Sequence, residues 1–322
     1  MKSKIKILNY YEDRVPKKLL SLVKKKFNHK NITFKRIKYT ETLSKQISFV
    51  KWANFLLLTP GRVIHDEVLK NSKHIKLIQI WSSGYDKLNL NEIFKKRIPI
   101  ANNGSVNATS VAEHTVMLML AVYRKLLAYG EIAKKGKWKG NLHGVDCYNL
   151  NNKKIGIIGL GNIGTKVANI CKSFGSKIFY YDIKKYKNSK FQFLSLKRLV
   201  ASCDVITLHL HSNKQTFKIL NKKLLSRMKK SSIIVNVSRS DLIDYSYLNN
   251  MLKKKKIFGA GLDVYDKEPT LPGDMFLDLD NVVLTPHTAG SSIDTYMEVI
   301  NNCYNNIISA SKNKNIKWLI KR

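Results

Sequence analysis

The stretch that decides the fold is Gly159-Leu160-Gly161-Asn162-Ile163-Gly164, a glycine pattern in the middle of a 322-residue chain. A short apolar segment from 154 to 158 precedes it and predicts a buried β-strand. A helical pattern follows from 163 to 174, and a second strand, predicted from 177 to 181, ends directly before Asp182. Strand, glycine turn, helix, strand and acid follow one another in the layout that binds a dinucleotide.

Each residue of the glycine pattern has a physical task in such a site. Gly159 permits a tight turn, Gly161 lets the backbone approach a pyrophosphate, and Gly164 lets the helix pack closely on the strand. The pyrophosphate is expected beside the free N–H groups of Asn162 and Ile163, because the start of a helix favours negative charge.

The acid predicts which dinucleotide binds. A carboxylate at Asp182 can accept hydrogen bonds from both ribose hydroxyls and would repel a 2′-phosphate, and so NAD is favoured over NADP. A chance glycine pattern in an ordinary turn is the alternative. The flanking strands and Asp182 favour a true dinucleotide site.

Composition bounds the class of protein. The length suggests two domains, and a hydrophobic content of 44% is that of an ordinary globular chain. The N-terminal apolar run is too short for a signal peptide, and the apolar stretch from 116 to 123 is too short for a membrane span. The cysteines show no metal-binding spacing and predict reduced thiols in a cytoplasmic protein without a metal site: Cys147, Cys171, Cys203 and Cys303.

The formal net charge of +36 is the unusual property of this composition. Such a charge can attract nucleic acid or an anionic membrane. The lysine clusters, however, are spread along the whole chain, and aromatic residues do not alternate with them as a base-stacking surface requires. We therefore expect a solvated basic surface, with neither a specific nucleic-acid partner nor a membrane partner.

Strand and helix patterns alternate along the chain and predict two open, doubly wound parallel sheets of the α/β class. A long helix is expected from 110 to 128, a loop from 136 to 152 and a final helix from 291 to 311. The predicted strands lie at 4–8, 32–37, 55–59, 75–80 and 98–101 before the loop, and at 154–158, 177–181, 205–210, 232–237, 258–264 and 282–285 after it.

Three chemically capable residues follow strands of the second sheet, where the ligands of such sheets bind. Arg239 offers a fork of donors suited to a carboxylate, and His287 is a candidate general acid and base. Glu268 is placed to orient a histidine. Taken singly, each has an ordinary explanation as a surface arginine, a solvated loop acid or a structural histidine.

Several motifs in one order make the chain similar to a known family. They are GLGNIG with Asp182, NVSRSDLID (236–244), GLDVYDKEP (261–269), TPHTAG (285–290), and the upstream segments 81–86 and 103–114. In these motifs the chain resembles the D-isomer-specific 2-hydroxyacid dehydrogenases, over roughly residues 81 to 290.

The resemblance implies a domain arrangement and an assembly. A Rossmann cofactor domain at 104–286 would be inserted in a flavodoxin-like catalytic domain made of residues 1–103 and 287–322. The helix from Ser110 and the arm near Trp138 resemble the dimerisation region of the family, and we therefore expect a homodimer.

The resemblance also implies roles for the three residues that follow the strands. Arg239 would hold the carboxylate and polarise the carbonyl of a 2-oxo acid. His287 would donate a proton to the carbonyl oxygen as hydride arrives, and Glu268 would bond the other ring nitrogen and favour the protonated ring. Backbone N–H groups near Ser83 and Gly84 would complete the carboxylate site.

The remaining implied contacts are with the cofactor, and they add three residues to the glycine turn and Asp182: Val237, Ser238 and Asp263. The chain also departs from the family, because Ser240 stands where the family usually has glycine after the arginine. If that position required a positive φ, serine would be strained and Arg239 displaced.

We therefore predict an NAD-dependent oxidoreductase that interconverts a small D-2-hydroxy acid and its 2-oxo acid, such as glyoxylate, hydroxypyruvate or pyruvate. Two alternatives stay open. The first is a dehydrogenase for a phosphorylated hydroxy acid such as 3-phosphoglycerate, which the end of the chain at Arg322 disfavours. The second is an NAD-sensing binding protein of the same fold, with weak or no turnover.

Overall fold

The chain is described by a computed structural model over residues 4–13, 15–59, 64–85, 88–138, 140–187 and 189–321. It forms two compact units: Met1–Asn107 with Ser292–Arg322, and Ala108–Ser291. The boundaries predicted from the sequence were 103/104 and 286/287, and the assignment of one unit to substrate and the other to cofactor stays a prediction. Asp86 of the 81–86 motif lies outside the described residues.

Helices and strands alternate through both units. The strands are β1 (Ile5–Tyr11), β2 (Ile32–Lys38), β3 (Phe55–Leu58), β4 (Leu77–Ile80), β5 (Ile100–Ala101), β6 (Lys154–Ile158), β7 (Lys177–Tyr181), β8 (Gln192–Phe193), β9 (Val205–Leu208), β10 (Ile233–Asn236), β11 (Gly259–Leu262) and β12 (Val282–Leu284). The α-helices are α1 (Lys17–Phe27), α2 (Leu43–Trp52), α3 (Asp66–Lys70), α4 (Leu90–Lys95), α5 (Ala108–Tyr123), α6 (Leu126–Lys134), α7 (Asn162–Ser173), α8 (Leu196–Ser202), α9 (Lys222–Leu225), α10 (Tyr245–Lys253) and α11 (Ile293–Ser311).

The first unit contains a five-stranded parallel sheet in the order β2-β1-β3-β4-β5. This is the flavodoxin-like order, as predicted. Successive residues of β3 enter different cores, because a strand points its side chains alternately to the two faces. Phe55 and Leu57 pack in the core that includes α1 and α11, whereas Leu56 and Leu58 pack in the core that includes α2 and α3.

The C-terminal segment after α11 pairs with the edge strand of this sheet. Ile320 N–H donates to the Ile100 carbonyl at 2.9 Å, and Asn102 N–H donates to the Trp318 carbonyl at 3.2 Å. The pairing is antiparallel at Ala101. Trp318 also lies against Gly104, whose φ is +48° and where an added Cβ would approach the indole to 2.1 Å. Gly104 is therefore required both by its backbone conformation and by this contact.

The second unit contains a seven-stranded parallel sheet in the order β12-β11-β10-β9-β6-β7-β8. Numbered from β6, its first six strands have the order 3-2-1-4-5-6 of the dinucleotide-binding fold, and β12 adds a seventh strand beside β11. The predicted Rossmann fold is confirmed. The order reverses between β6 and β9, so the carboxyl ends of these strands mark the expected cofactor crevice.

Helix α5 packs directly on β11 through two glycines of the strand. A Cβ added to Gly261 would lie 2.9 Å from Leu118 Cβ, and one added to Gly259 would lie 2.8 Å from Val122 Cγ1. Both distances are too short for a real side chain. Because these two residues are glycines, α5 can pack close to β11.

Two local predictions were wrong. The helix predicted from 110 to 128 ends at Tyr123, and α6 begins at Leu126 after Lys125 adopts a left-handed φ of +48°. The segment predicted as a loop from 136 to 152 contains a 3-10 helix, Gly140–Asp146. Apolar periodicity continues across Lys125, and the reversal therefore carried no signal in the sequence.

A pair of glycine substitutions tests the contact with Trp318. Gly104→Ala and Gly136→Ala both place alanine at a positive φ, a strain of about 1–2 kcal/mol, but only Gly104 faces the indole, since Gly136 has open space. We expect Gly104→Ala to lower the free energy of unfolding by about 1–2 kcal/mol more than Gly136→Ala, as measured by urea denaturation. Equal losses would show that Trp318 moves aside without cost.

Candidate active site

The glycine turn lies between the carboxyl end of β6 and the start of α7. Gly159 has a φ of +96°, and a Cβ at Gly164 would lie 2.1 Å from the Gly159 carbonyl oxygen. The backbone of the turn therefore requires glycine at both positions, whether or not a ligand binds. Gly161 differs, because its φ is ordinary and an added Cβ would meet no atom within 4 Å. The open space above Gly161 fits a ligand that approaches the backbone closely.

The same turn presents hydrogen-bond donors to that space. Gly161 is the N-cap of α7 and has no side chain to cap the helix. The first-turn N–H groups of Asn162, Ile163 and Gly164 have no acceptor within the helix, since an α-helix leaves its first donors unsatisfied. An exposed glycine followed by free donors and a positive helix end fits a pyrophosphate.

Asp182 stands beside this turn, directly after β7. Its Oδ2 accepts a hydrogen bond from Leu160 N–H at 2.9 Å, and the Gly159 N–H donates to the Tyr181 carbonyl at 2.8 Å. The turn is therefore held to the end of β7 by two bonds. A carboxylate has about four acceptor positions, and so Asp182 keeps capacity for ribose hydroxyls.

A buried histidine lies on the other side of the turn. His209 follows β9, and its carbonyl oxygen is 2.6 Å from where a Cβ on Gly159 would lie. The ring bonds to Thr207 Oγ1 through Nε2 at 3.1 Å. Burial lowers the pKa of His209 to about 3, so the ring is neutral at physiological pH.

The end of β10 is organised by hydrogen bonds between close neighbours. Asn236 Nδ2 donates to the Arg239 carbonyl at 2.8 Å, and Ser238 Oγ donates to the Leu208 carbonyl at 2.7 Å. Arg239 has an extended backbone, and its Nη1 donates to the Ser238 carbonyl at 2.7 Å. Val237 is buried in the core. Its contact with the cofactor, and that of Ser238, stay predictions.

Ser240 causes no backbone strain. It begins a 3-10 helix, Ser240–Leu242, and is not among the residues with positive φ. The strain that a left-handed serine would have introduced beside Arg239 is therefore absent.

His287 and Glu268 form a direct pair. His287 Nδ1 lies 2.8 Å from Glu268 Oε2, and the other carboxylate oxygen accepts from Tyr265 N–H at 3.1 Å. The two side chains are 48% and 30% exposed, and a small molecule can therefore reach the ring. With Nδ1 engaged by the carboxylate, Nε2 is the nitrogen available for proton exchange with a ligand.

Asp263 does more than the sequence suggested. Its carboxylate is completely buried and accepts hydrogen bonds from Thr285 Oγ1 at 2.5 Å, Thr288 N–H at 2.9 Å and Ala289 N–H at 2.9 Å. These donors flank His287, whose own φ is +54°. Asp263 thus holds the segment that carries His287, and its predicted contact with the cofactor stays a prediction.

His114 on α5 is a residue that sequence reasoning left without a role. Its Nε2 lies 3.0 Å from Thr285 Oγ1 and 3.6 Å from Asp263 Oδ1. Burial lowers the pKa of His114, although the charge of Asp263 opposes that shift. The sequence carried no signal of this contact, because it depends on how α5 packs on β11.

Ser83 and Gly84 lie in the first unit, in the turn after β4. Ser83 Oγ donates to Asn107 Oδ1 at 3.1 Å, and Asn102 Nδ2 donates to the Ser83 carbonyl at 2.7 Å. Ser82 Oγ donates to the Gly84 carbonyl. The turn is therefore fixed by side chains, and its backbone N–H groups are held in place as a carboxylate site needs.

The residues predicted for chemistry follow neighbouring strands of one sheet. The glycine turn and Asp182 follow β6 and β7, while Arg239, Glu268 and His287 follow β10, β11 and β12. A dinucleotide crevice with a histidine–carboxylate pair at the same sheet edge defines an NAD-dependent dehydrogenase of the Rossmann class.

Comparison with known proteins identifies the family. Residues 116–289 match the model for the D-isomer specific 2-hydroxyacid dehydrogenase, NAD binding domain. The chain belongs to this family, and it is an NAD-dependent enzyme that interconverts a 2-hydroxy acid and its 2-oxo acid.

Individual relatives extend the match beyond that domain. A glyoxylate reductase of Korarchaeum cryptofilum is 32% identical over 252 residues, which is 76% of each chain. A D-3-phosphoglycerate dehydrogenase of Archaeoglobus fulgidus is 35% identical over 238 residues, or 72% of this chain and 45% of that one. The crystal structure of TT0316 protein from Thermus thermophilus superposes with a TM-score of 0.86 at 27% identity, covering 98% of this chain and 100% of the other.

The described residues contain neither a candidate metal centre nor a candidate membrane span. No group of histidine, cysteine and acidic side chains there is arranged to hold a metal ion. Among those same residues, no helix has the length and apolar character that a membrane span requires.

Two substitutions in the glycine turn separate ligand binding from folding. Gly164→Ala forces a Cβ against a backbone oxygen, and we expect it to lower the free energy of unfolding by about 2–4 kcal/mol. Gly161→Ala enters open space, and we expect a loss below about 1 kcal/mol together with at least about 10-fold weaker NADH binding. Denaturation and NADH fluorescence titration measure the two effects. Unchanged NADH affinity in Gly161→Ala would contradict the site.

Proposed function

We propose that the enzyme reduces a small 2-oxo acid of the glyoxylate or hydroxypyruvate type, using NADH and producing the D-2-hydroxy acid. The observation that carries this proposal is the 2.8 Å contact between His287 Nδ1 and Glu268 Oε2, which makes an acid–base group with a defined tautomer. The similarity to a glyoxylate reductase supports a small substrate.

The histidine pair accounts for proton transfer. NADH, when bound by the glycine turn and Asp182, supplies the hydride. Glu268 holds Nδ1 and stabilises the positive ring by its charge. His287 then gives the proton on Nε2 to the carbonyl oxygen of the 2-oxo acid, and in the reverse direction it takes the hydroxyl proton.

The substrate carboxylate needs a separate binding group, and we assign it to Arg239. A guanidinium presents parallel N–H donors that match a carboxylate and is charged at every physiological pH. Asn236 bonds the Arg239 carbonyl and holds the backbone of that residue. The family resemblance also predicts that the backbone N–H groups near Ser83 and Gly84 bind the carboxylate. We likewise propose that the glycine turn and Asp182 bind the cofactor, and the turn and Asp182 both belong to the second unit.

A substrate panel with NADH, followed by absorbance, tests the function. We expect turnover with glyoxylate, hydroxypyruvate or pyruvate, and a loss in kcat of about 10²- to 10⁴-fold for His287→Ala, because the proton donor is removed. Glu268→Gln keeps a hydrogen-bond acceptor without the charge, and we expect a smaller loss. NADH affinity should stay unchanged in both variants, since neither residue belongs to the glycine turn.

The panel also decides between the alternatives. Turnover confined to 3-phosphohydroxypyruvate would indicate the phosphorylated-substrate enzyme. NADH binding without turnover of any acid would indicate an NAD-sensing protein. Full activity of His287→Ala would contradict the proposed proton donor.

We further propose that the enzyme is a homodimer assembled through α6 and the 3-10 segment that follows it. This part of the second unit exposes several large apolar side chains, which is costly in water unless they are covered. They are Leu126 (58% exposed), Leu127 (55%), Trp138 (85%), Leu142 (74%) and Val145 (82%). A second copy of this chain is the occupant that the family resemblance implies.

The dimer is tested by light scattering after size exclusion. We expect twice the chain mass of 37.0 kDa for the wild type and a shift toward a single chain for the double variant Trp138→Ser, Leu142→Ser, because the variant removes apolar contact area. Leu271→Ser, at another exposed leucine, is the matched control and should stay dimeric. A wild type of one chain mass would refute the proposal.

We also propose a cytoplasmic location. All four cysteines are free, and Cys171, Cys203 and Cys303 are buried. Reduced thiols are typical of the cytoplasm, which keeps cysteines from pairing.

A further inference from the structure

A chain of hydrogen bonds leads from α5 to the segment that carries His287. It begins at His114, passes through the Thr285 hydroxyl and ends on the buried carboxylate of Asp263. We propose that His114 is a positioning residue for catalysis, acting through Thr285 and Asp263 on His287. This proposal rests on the proposed role of His287 as the proton donor.

The meeting of His114 with Asp263 follows from the register of α5 on β11. Gly259 lies under Val122, and Gly261 lies under Leu118. Asp263 lies two residues after Gly261, directly beyond the end of β11, and His114 lies four residues before Leu118 on the helix. Four helical residues rise about 6 Å and two strand residues about 6.6 Å, so the helix and the strand stay in step.

The direction of each hydrogen bond can be assigned. Thr285 Oγ1 has a single proton, and it donates that proton to Asp263 Oδ1 at 2.5 Å. The same oxygen must then accept from His114, whose Nε2 lies 3.0 Å away. His114 therefore carries its proton on Nε2, and this donor fixes the hydroxyl in the orientation that serves Asp263.

Asp263 also bonds the backbone next to His287. Its two oxygens accept the N–H groups of Thr288 and Ala289, both at 2.9 Å, and the carboxylate has no exposure to water. A buried carboxylate is stable only while its acceptor positions are filled. The left-handed backbone of His287, φ +54°, lies directly before these two anchored residues.

The effect that we expect on catalysis comes from the position of the His287 ring. An error of about 1 Å in the position of a reacting group costs on the order of 100-fold in rate. The 2.8 Å contact between His287 and Glu268 depends on how the 285–289 segment is held. Loss of the donor at position 114 leaves the Thr285 hydroxyl short of a partner and loosens that segment without touching the glycine turn.

Two substitutions at His114 test the proposal in the full-length enzyme. His114→Leu removes the donor, whereas His114→Gln places an amide N–H at a similar reach. We expect His114→Leu to lower kcat by about 10- to 100-fold. NADH affinity should stay within about threefold of the wild type, because the glycine turn is unaffected. His114→Gln should recover most of the lost kcat, which a general loss of packing would not permit.

A second readout does not depend on turnover. In ¹⁵N-histidine-labelled protein, the Nδ1 proton of His287 that is bonded to Glu268 gives a downfield resonance, assigned by its absence from His287→Asn. We expect this resonance to broaden or vanish in His114→Leu and to return in His114→Gln. Thr285→Val should behave like His114→Leu, and Thr285→Ser like the wild type.

The outcomes are distinguishable. Unchanged kcat and an unchanged resonance in His114→Leu would overturn the positioning role. Equal losses in His114→Leu and His114→Gln, accompanied by weaker NADH binding, would show a packing role and also overturn it. A wild type that turns over no acid, but whose resonance responds as described, would refute the proposed reaction and leave the link from His114 to His287 standing.

Discussion

The buried carboxylate of Asp263 fixes the position of the segment that carries His287. Asp263 must have its acceptor positions filled from within the protein, because a bare charge in the interior is strongly unfavourable. The donors come from β12's exit segment, and the Thr285 hydroxyl that supplies one of them is itself bonded by α5. Elements far apart in the chain are thereby joined at one point. His287, the proposed proton donor, lies between residues that bond this carboxylate.

The turn between β6 and α7, where we expect the cofactor, depends on glycines that have no side chain. Gly159 and Gly164 are required by the protein's own backbone, whereas a Cβ added to Gly161 would meet no atom within 4 Å. The first two shape the turn, whereas a side chain at the third would be tolerated by the protein itself. A motif that looks uniform in sequence thus contains two glycines that the fold requires and one that it does not require, for which we propose a binding role.

Much of this organisation was predictable because its signals are local. The glycine pattern with its flanking strands and Asp182 specifies one supersecondary unit, and family motifs placed Glu268 beside His287. The role of His114 was not predictable, since 171 residues separate it from Thr285 and their contact depends on a helix–strand register. The break at Lys125 was missed for another reason: a single left-handed residue leaves the apolar pattern of the sequence unchanged.

In the first unit, the edge strand of the sheet is covered by the segment that follows α11. Its last strand, β5, has only two residues, and its free edge is occupied by the antiparallel segment that ends at Ile320. Asn306 on α11 secures this segment by bonding both backbone groups of Lys317 at 3.0 Å. An uncovered edge would invite pairing with a strand of another molecule. The segment beyond α11 therefore covers the backbone groups of β5 and blocks pairing with a strand of another molecule at this edge.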